Sequence, residues 1–189
     1  DIRWARVDPA VETANANRDV IVGIKVRLSE GIVGVNDVVA LERAIEAADH
    51  LDLPVMIHIG GTNHSLEEIF GKLRGGDIVT HSFTSNAPGI ITDGGKILPA
   101  ALEARQRGVL FDVGHGAGSF GFEVAEAALT HGFTPATISS DVHRYNVRGP
   151  VYDLATTLSK FMYLGLSVDD VISLGTQAPA EAIGRLDEV

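Results

Sequence analysis

The chain has 189 residues, 45% hydrophobic and 21% charged, with 25 acidic against 15 basic side chains and a formal charge of −10. Those are globular proportions with room for one domain and a sizeable core, and they exclude a disordered chain. The acidic excess argues against a nucleic-acid or anionic-membrane partner, no apolar run approaches the roughly 18 residues of a membrane span, and the absence of cysteine excludes disulfides and thiolate metal sites.

Seven histidines and many carboxylates remain as possible metal ligands. Asp1–Arg6 show no basic start with an apolar stretch behind it, so they do not read as a signal peptide. The expectation is a cytoplasmic protein of which residues 1–189 are a single domain, beginning partway through a longer chain.

Asp8-Pro9 reads as an N-cap before a first-turn proline. Val20–Val26 is the first apolar, β-branched run. Residues 37–50 then place Val38, Val39, Leu41, Ile45 and Ala48 on one side and Glu42, Arg43 and Glu46 on the other, which is an amphipathic helix. Pro54–Ile59 is the second run, and Ser65-Leu-Glu-Glu68 has the pattern of a capping box. Asp77–Phe83 is the third. Residues 98–107 predict a helix closing on Arg105, Arg107 and Gly108. Val109–Val113 is the fourth run, residues 120–131 a helix, and Thr137–Asp141 the fifth run. Helices over 150–164, from Ser167 and over 177–185 complete the chain.

Runs that are apolar throughout, rather than alternating, fit strands covered on both faces. Strand and helix alternate five times, which predicts an α/β protein with a parallel sheet. Periodicity alone leaves two architectures open. One is a small doubly wound sheet, and the other is part of an eight-stranded barrel, which in full takes about 250 residues.

The polar residues carry more information. Lys25, His58, His81 and Asp141 lie at or near the C-terminal ends of their runs, and His115 follows the fourth by two residues. An ionisable group in a strand costs several kcal/mol of desolvation unless it is paired or ligated. Any one of them alone reads as structural. Together, at one end of successive strands, they would form a ring on the face where α/β barrels keep their chemistry. His- and oxygen-rich ligation suits Zn²⁺, Mn²⁺, Fe²⁺ or Ni²⁺. Gly114-x-Gly116-x-Gly118 lacks the spacing and the acidic partner of a dinucleotide fingerprint.

With these residues in place, the sequence resembles the amidohydrolase superfamily of metal-dependent hydrolases, in its deacetylase and dihydroorotase-like branch. The matching segments are Gly23–Arg27, His58-Ile59-Gly60, Thr80–Phe83, Asp112–Gly116, Ser139–His143 and Thr176–Ala180. The resemblance implies a partial TIM-type (β/α)8 barrel whose five βα units are strands four to eight. It implies that Lys25, as a carbamate, bridges two metals, that His58 and His81 bind one of them, and that Asp141 binds the other and shuttles a proton to or from a metal-activated hydroxide. Zinc is the expected ion. His115, His143, Arg144 and Asn146, on loops at that face, are the expected substrate contacts.

The family's first-strand His-x-His pair does not occur here. An open barrel would expose two sheet edges, so a homo-oligomer or association through those edges is expected, besides a small-molecule substrate. The leading expectation is a hydrolase of a C–N or ester bond in a small acylated substrate. The alternatives are a dihydroorotase-like cyclic amidase, a non-catalytic barrel fragment or assembly partner, and a flavodoxin-like binding domain.

Overall fold

Apolar β-branched runs become strands where both faces are covered, and four of the five do so. In the computed structural model, which describes residues 1–189, β1 (Ile24–Arg27), β2 (Val55–His58), β3 (Ile78–Thr80) and β4 (Leu110–Phe111) form one parallel sheet in the order β1-β2-β3-β4. A doubly wound sheet reverses its strand order partway. This one winds in a single direction, as a barrel does.

The intervening helices are α1 (Val7–Ala16), α2 (Glu30–Val33), α3 (Asp37–Leu51), α4 (Leu66–Lys72), α5 (Pro99–Gln106) and α6 (Phe122–Thr130), followed by α7 (Leu154–Tyr163), α8 (Val168–Gly175) and α9 (Gln177–Ala182). Local signals set their ends with two differences from expectation. Arg6, not Asp8, is the N-cap of α1, and Asp8 lies inside the first turn, where a carboxylate still complements the helix dipole. At α4 only half of the capping box forms, with Ser65 Oγ accepting from the Glu68 N–H, whereas Ser167 and Asp170 complete one at α8.

The fifth run is corrected. Residues 137–141 are not a regular strand but a single parallel bridge, Asp112 to Thr137. Three main-chain bonds continue it beside β4: Val113 N–H to the Thr137 carbonyl, His115 N–H to Ser139 and Gly116 N–H to Ser140. The run is too polar and too sharply turned for more. The Thr137 and Ser139 hydroxyls point at Asp112, and Asp141 leaves extended geometry for the left-handed region at φ 46°.

One core of 27 buried residues lies between the sheet and the helices. Val55, Ile57, Val79 and Phe111 from the strands meet Leu41, Ala44 and Ala48 of α3, Ile69 and Phe70 of α4, and the alanines of α5 and α6. Phe111 meets Phe70 and Phe133 edge-on, with ring centroids 5.7 and 5.0 Å apart. At the N-terminal end of the sheet, buried Asp77 accepts from the first N–H of β2 at Val55 (2.8 Å) and from Arg74. Charge and hydrogen bonds there lock β2 to β3 on the face opposite the strand ends.

At the other end, buried Asp37 in the first turn of α3 accepts from the N–H groups of Asn63 (2.8 Å) and His64 (2.9 Å) and from His64 Nδ1 (2.5 Å). It thereby holds the loop that leaves β2 after His58. His64 is part of this clamp through both its main chain and its ring. Burial by itself would raise the Asp37 pKa, but the donors from His64, Val38 and Asn63 outweigh it and hold the group below the usual carboxylate range.

A carboxylate with a depressed folded pKa adds stability above its unfolded pKa of about 3.9 and loses it as the pH falls through the lower folded value. Asp37→Asn is expected to cost about 1–3 kcal/mol at pH 7. In urea unfolding the wild-type and mutant curves should approach one another as acid protonates Asp37. A constant offset down to pH 2 would show that the charge of Asp37 contributes nothing.

Candidate active site

Side chains alternate along a strand, so each strand sends one set to the helices and the other to the inner face of the sheet. On β1, Ile24 and Val26 are half-buried and Lys25 and Arg27 lie on the open side; on β2, Val55 and Ile57 are buried while Met56 and His58 are half-buried. The register sets Arg27 beside His58, His58 beside Thr80, and Lys25 beside Met56. Lys25 therefore stands one inner layer below His58, with Arg27 next to the histidine.

His58 ends β2, and His81 follows β3 by one residue. Their rings meet edge-on, with centroids 4.1 Å apart and planes at 73°. His81 is buried, and its Nδ1 lies 2.5 Å from the Gly114 carbonyl oxygen. A carbonyl only accepts, so Nδ1 carries the proton and the lone pair is left on Nε2. This is the arrangement by which metal-binding histidines are commonly oriented. Burial, then the charges of His81, Arg27 and Lys25, push the His58 pKa down to about 3. Burial also lowers that of His81, against the bond to Gly114 and the charges of Asp141 and Asp112. Both imidazoles are neutral near pH 7, as ligands must be.

His81 (φ 64°) and Asp141 (φ 46°) are two of the four non-glycine residues in the left-handed region. Each such residue costs of the order of 1–3 kcal/mol, strain of a kind that concentrates at functional sites. The turn between them explains how they are held. Gly114 is left-handed (φ 48°), and a Cβ there would stand 2.1 Å from Thr80 Oγ1 and 3.0 Å from His81 Nδ1. A Cβ on Gly116 would approach Asp141 Oδ2 to 3.0 Å. Only glycine lets this backbone run directly under His81.

Beneath the turn lies Asp112, which is buried. It accepts hydrogen bonds from Thr80 Oγ1 (2.6 Å), Thr137 Oγ1 (2.7 Å) and Ser139 Oγ (2.7 Å). One carboxylate thus joins β3, β4 and the fifth run just below His81 and Asp141.

The structure brings His58 and His81 together, sets Asp141 against the Gly114–Gly116 turn, and places Lys25 near enough for its charge to act on both imidazoles. No three His, Asp or Glu side chains lie close enough to hold an ion by themselves. The two neutral imidazoles of His58 and His81 are nitrogen donors that fit part of a divalent-metal shell, and Lys25 as an ammonium is not a donor to it.

Two of the expected substrate contacts have other jobs. Asn146 is buried, accepting from the His143 N–H (2.7 Å) and donating to the Asp141 carbonyl (3.0 Å), so it braces the loop instead of facing a ligand. His115 is buried with both ring nitrogens engaged, by the Gly116 carbonyl (2.9 Å) and by Lys160 (2.6 Å). His143 and Arg144 remain exposed on the loop, with Arg144 stacked on Tyr145.

Asp112 and Lys160 join the site from outside the residues that the sequence singles out. Three hydroxyl residues, Thr80, Thr137 and Ser139, near the same strand ends were the available signal for Asp112; nothing local marks Lys160.

No protein-family model matches the chain. Curated relatives do. It is 42% identical to a deacetylase of Enterococcus faecalis over 168 residues (86% of this chain, 45% of that protein) and 36% identical to one of Agrobacterium fabrum over 187 residues (99% and 46%). A crystal structure of an adenine deaminase superposes with a TM-score of 0.93 at 37% identity, over 97% of this chain and 51% of that one. A dihydroorotase gives 0.89 at 34%, over 98% and 48%. This chain is part of an amidohydrolase-superfamily barrel. It spans about half the length of the curated relatives it matches. Its strands one to four and the bridged run are a segment of the amidohydrolase barrel, and its histidine pair lies at that barrel's C-terminal face, where such enzymes act.

Two substitutions test the support beneath the histidines. Gly114→Ala forces both a clash and a left-handed alanine and should cost about 2 kcal/mol or more. Asp112→Ala strands three buried hydroxyls and should cost about 3 kcal/mol or more. Both are read from chemical denaturation. A loss under about 1 kcal/mol in either would mean that the turn relaxes without it.

Proposed function

We propose that the complete protein containing this chain is a metal-dependent hydrolase that cleaves a C–N or ester bond in a small acylated substrate, as a deacetylase does. The observation that carries the proposal is the neutral His58–His81 pair, edge to edge, with the His81 tautomer set by the Gly114 carbonyl. The deacetylase names of the curated relatives support the choice of reaction. The dihydroorotase-like structure keeps cyclic amide hydrolysis as the second reading.

In this reading His58 and His81 would hold a divalent cation, zinc by the donor set, and Lys25, once converted to a carbamate, and Asp141 would complete what this chain contributes. When bound, such an ion polarises the scissile carbonyl and acidifies water. The work of the chain's own groups is positional and protolytic. Buried His81 and half-buried His58 present uncharged nitrogens. Asp141, held in a strained conformation by Asn146 and by the turn beside Gly116, offers a carboxylate that accepts a proton from attacking water and passes it to the leaving group. The exposed His143 and Arg144 are placed to meet a polar substituent of the substrate.

The inner side of β1 is open, β1 pairs with β2 alone, and Trp4 beside it is 84% exposed. That surface supports association along the sheet edge, with the rest of the barrel or a second copy. No helix is long and apolar enough to cross a membrane.

Asp141→Asn in the complete enzyme should lower kcat at least about a hundredfold while leaving it folded, because general acid–base help alone is worth about 10²–10⁴-fold. His50→Asn, on the exposed last turn of α3, should change little. Turnover is followed as acetate release from N-acetyl amino acids and their esters, with dihydroorotate as the competing substrate and bound metal measured by elemental analysis. Full activity after chelation, or near-normal turnover of Asp141→Asn, overturns the reading.

A further inference from the structure

Lys160 is the only cation on α7, and its half-buried side chain turns back onto the fold. Its Nζ lies 2.6 Å from His115 Nε2 and 2.8 Å from the Pro150 carbonyl oxygen. An ammonium drawn partly out of solvent needs partners for its N–H donors, and both contacts lead back to the face of the histidine pair. We propose that Lys160 is a positioning residue of the candidate active site: acting through His115, it fixes the Gly114–Gly116 turn, and with it the tautomer of His81 and the setting of Asp141. The inference rests on the reading of His81 and Asp141 as site residues.

The links can be followed atom by atom. An amine N–H donates to His115 Nε2, so the proton of that imidazole is on Nδ1, where it is given to the Gly116 carbonyl (2.9 Å). The ring is stacked on Phe120, with centroids 4.6 Å apart and planes at 21°, so it cannot turn to another partner. Burial, helped by the charge of Lys160 and against the Gly116 bond, lowers the His115 pKa, in keeping with Nε2 as an acceptor. The His115 and Gly116 N–H groups bond the Ser139 and Ser140 carbonyls, at 3.0 and 3.1 Å, on the run that ends in Asp141. The Gly114 carbonyl, one residue before His115, holds the His81 proton.

Through Pro150, Lys160 also grips the far end of the loop that Asp141 opens. A lysine kept only for packing would need none of these donors, since its stem alone fills space beside Phe120.

The test compares wild type, Lys160→Met and Lys160→Arg in the complete polypeptide, freed of metal by chelation, with ¹⁵N-labelled histidine. Nitrogen shifts report the His81 tautomer without reference to activity, and near-UV circular dichroism checks the fold. In wild type, His81 should be protonated on Nδ1 alone. Lys160→Met should give a mixture of tautomers and weaken Zn²⁺ binding about 10–100-fold, the usual cost of losing a group that orients a ligand; Lys160→Arg should restore both.

If Lys160→Met does not fold, Lys160→Gln is read in the same way. An unchanged His81 tautomer with Zn²⁺ affinity within about twofold of wild type overturns the proposal. A tautomer shift in a protein that binds no Zn²⁺ even as wild type upholds the positioning role of Lys160 and overturns the hydrolase reading instead.

Discussion

Asp112 lies where the main-chain ladder thins out. β4 is two residues long and the fifth run keeps a single bridge, so backbone pairing alone would hold this side of the sheet weakly. Three hydroxyls from β3 and the fifth run take over, all donating to one buried carboxylate. A charge with no water around it is tolerated only when its oxygens are satisfied, so removing any partner is costly and the arrangement is held tightly. The Gly114–Gly116 turn, the proton on His81 and the strained place of Asp141 are all built above it.

The same logic recurs at both ends of the sheet. Asp77 pins β2 to β3 at the strand beginnings, Asp37 pins the loop after β2 to α3 at the strand ends, and Asp112 pins the last strands to each other. Each is a buried acceptor of several N–H or O–H donors, at least one of them from a segment distant in sequence. Four short strands leave few ladder bonds, and these carboxylates supply the cross-links that longer strands would provide through the backbone. The inner side of β1 has no such cross-link, and there Lys25 and Arg27 meet solvent.

The site's chemistry depends on keeping imidazoles uncharged and aimed. Burial does the first and fixed carbonyl acceptors do the second. His81 and His115 both give Nδ1–H to the main chain of the same turn, at Gly114 and Gly116. One imidazole then presents its lone pair at the inner face, and the other spends it on Lys160. Two histidines with the same local bond thus differ in availability because of what stands beyond the ring.

The chain's own order of residues determined the alternation of strands and helices, the helix ends marked by Ser65, Ser167 and Gly108, and the placing of His58 and His81 at strand ends. All of these follow from local periodicity, local capping or position within a run. Only the tertiary structure decided that the strands wind in one direction, that Lys25 lies a layer below His58, that the fifth run is a bridge, and that Asn146 and His115 face inward. The bonds responsible, Thr137 to Asp112 and Lys160 to His115, close across 25 and 45 residues. Periodicity has no reach over such separations, because which side chains meet there depends on how the whole sheet curls.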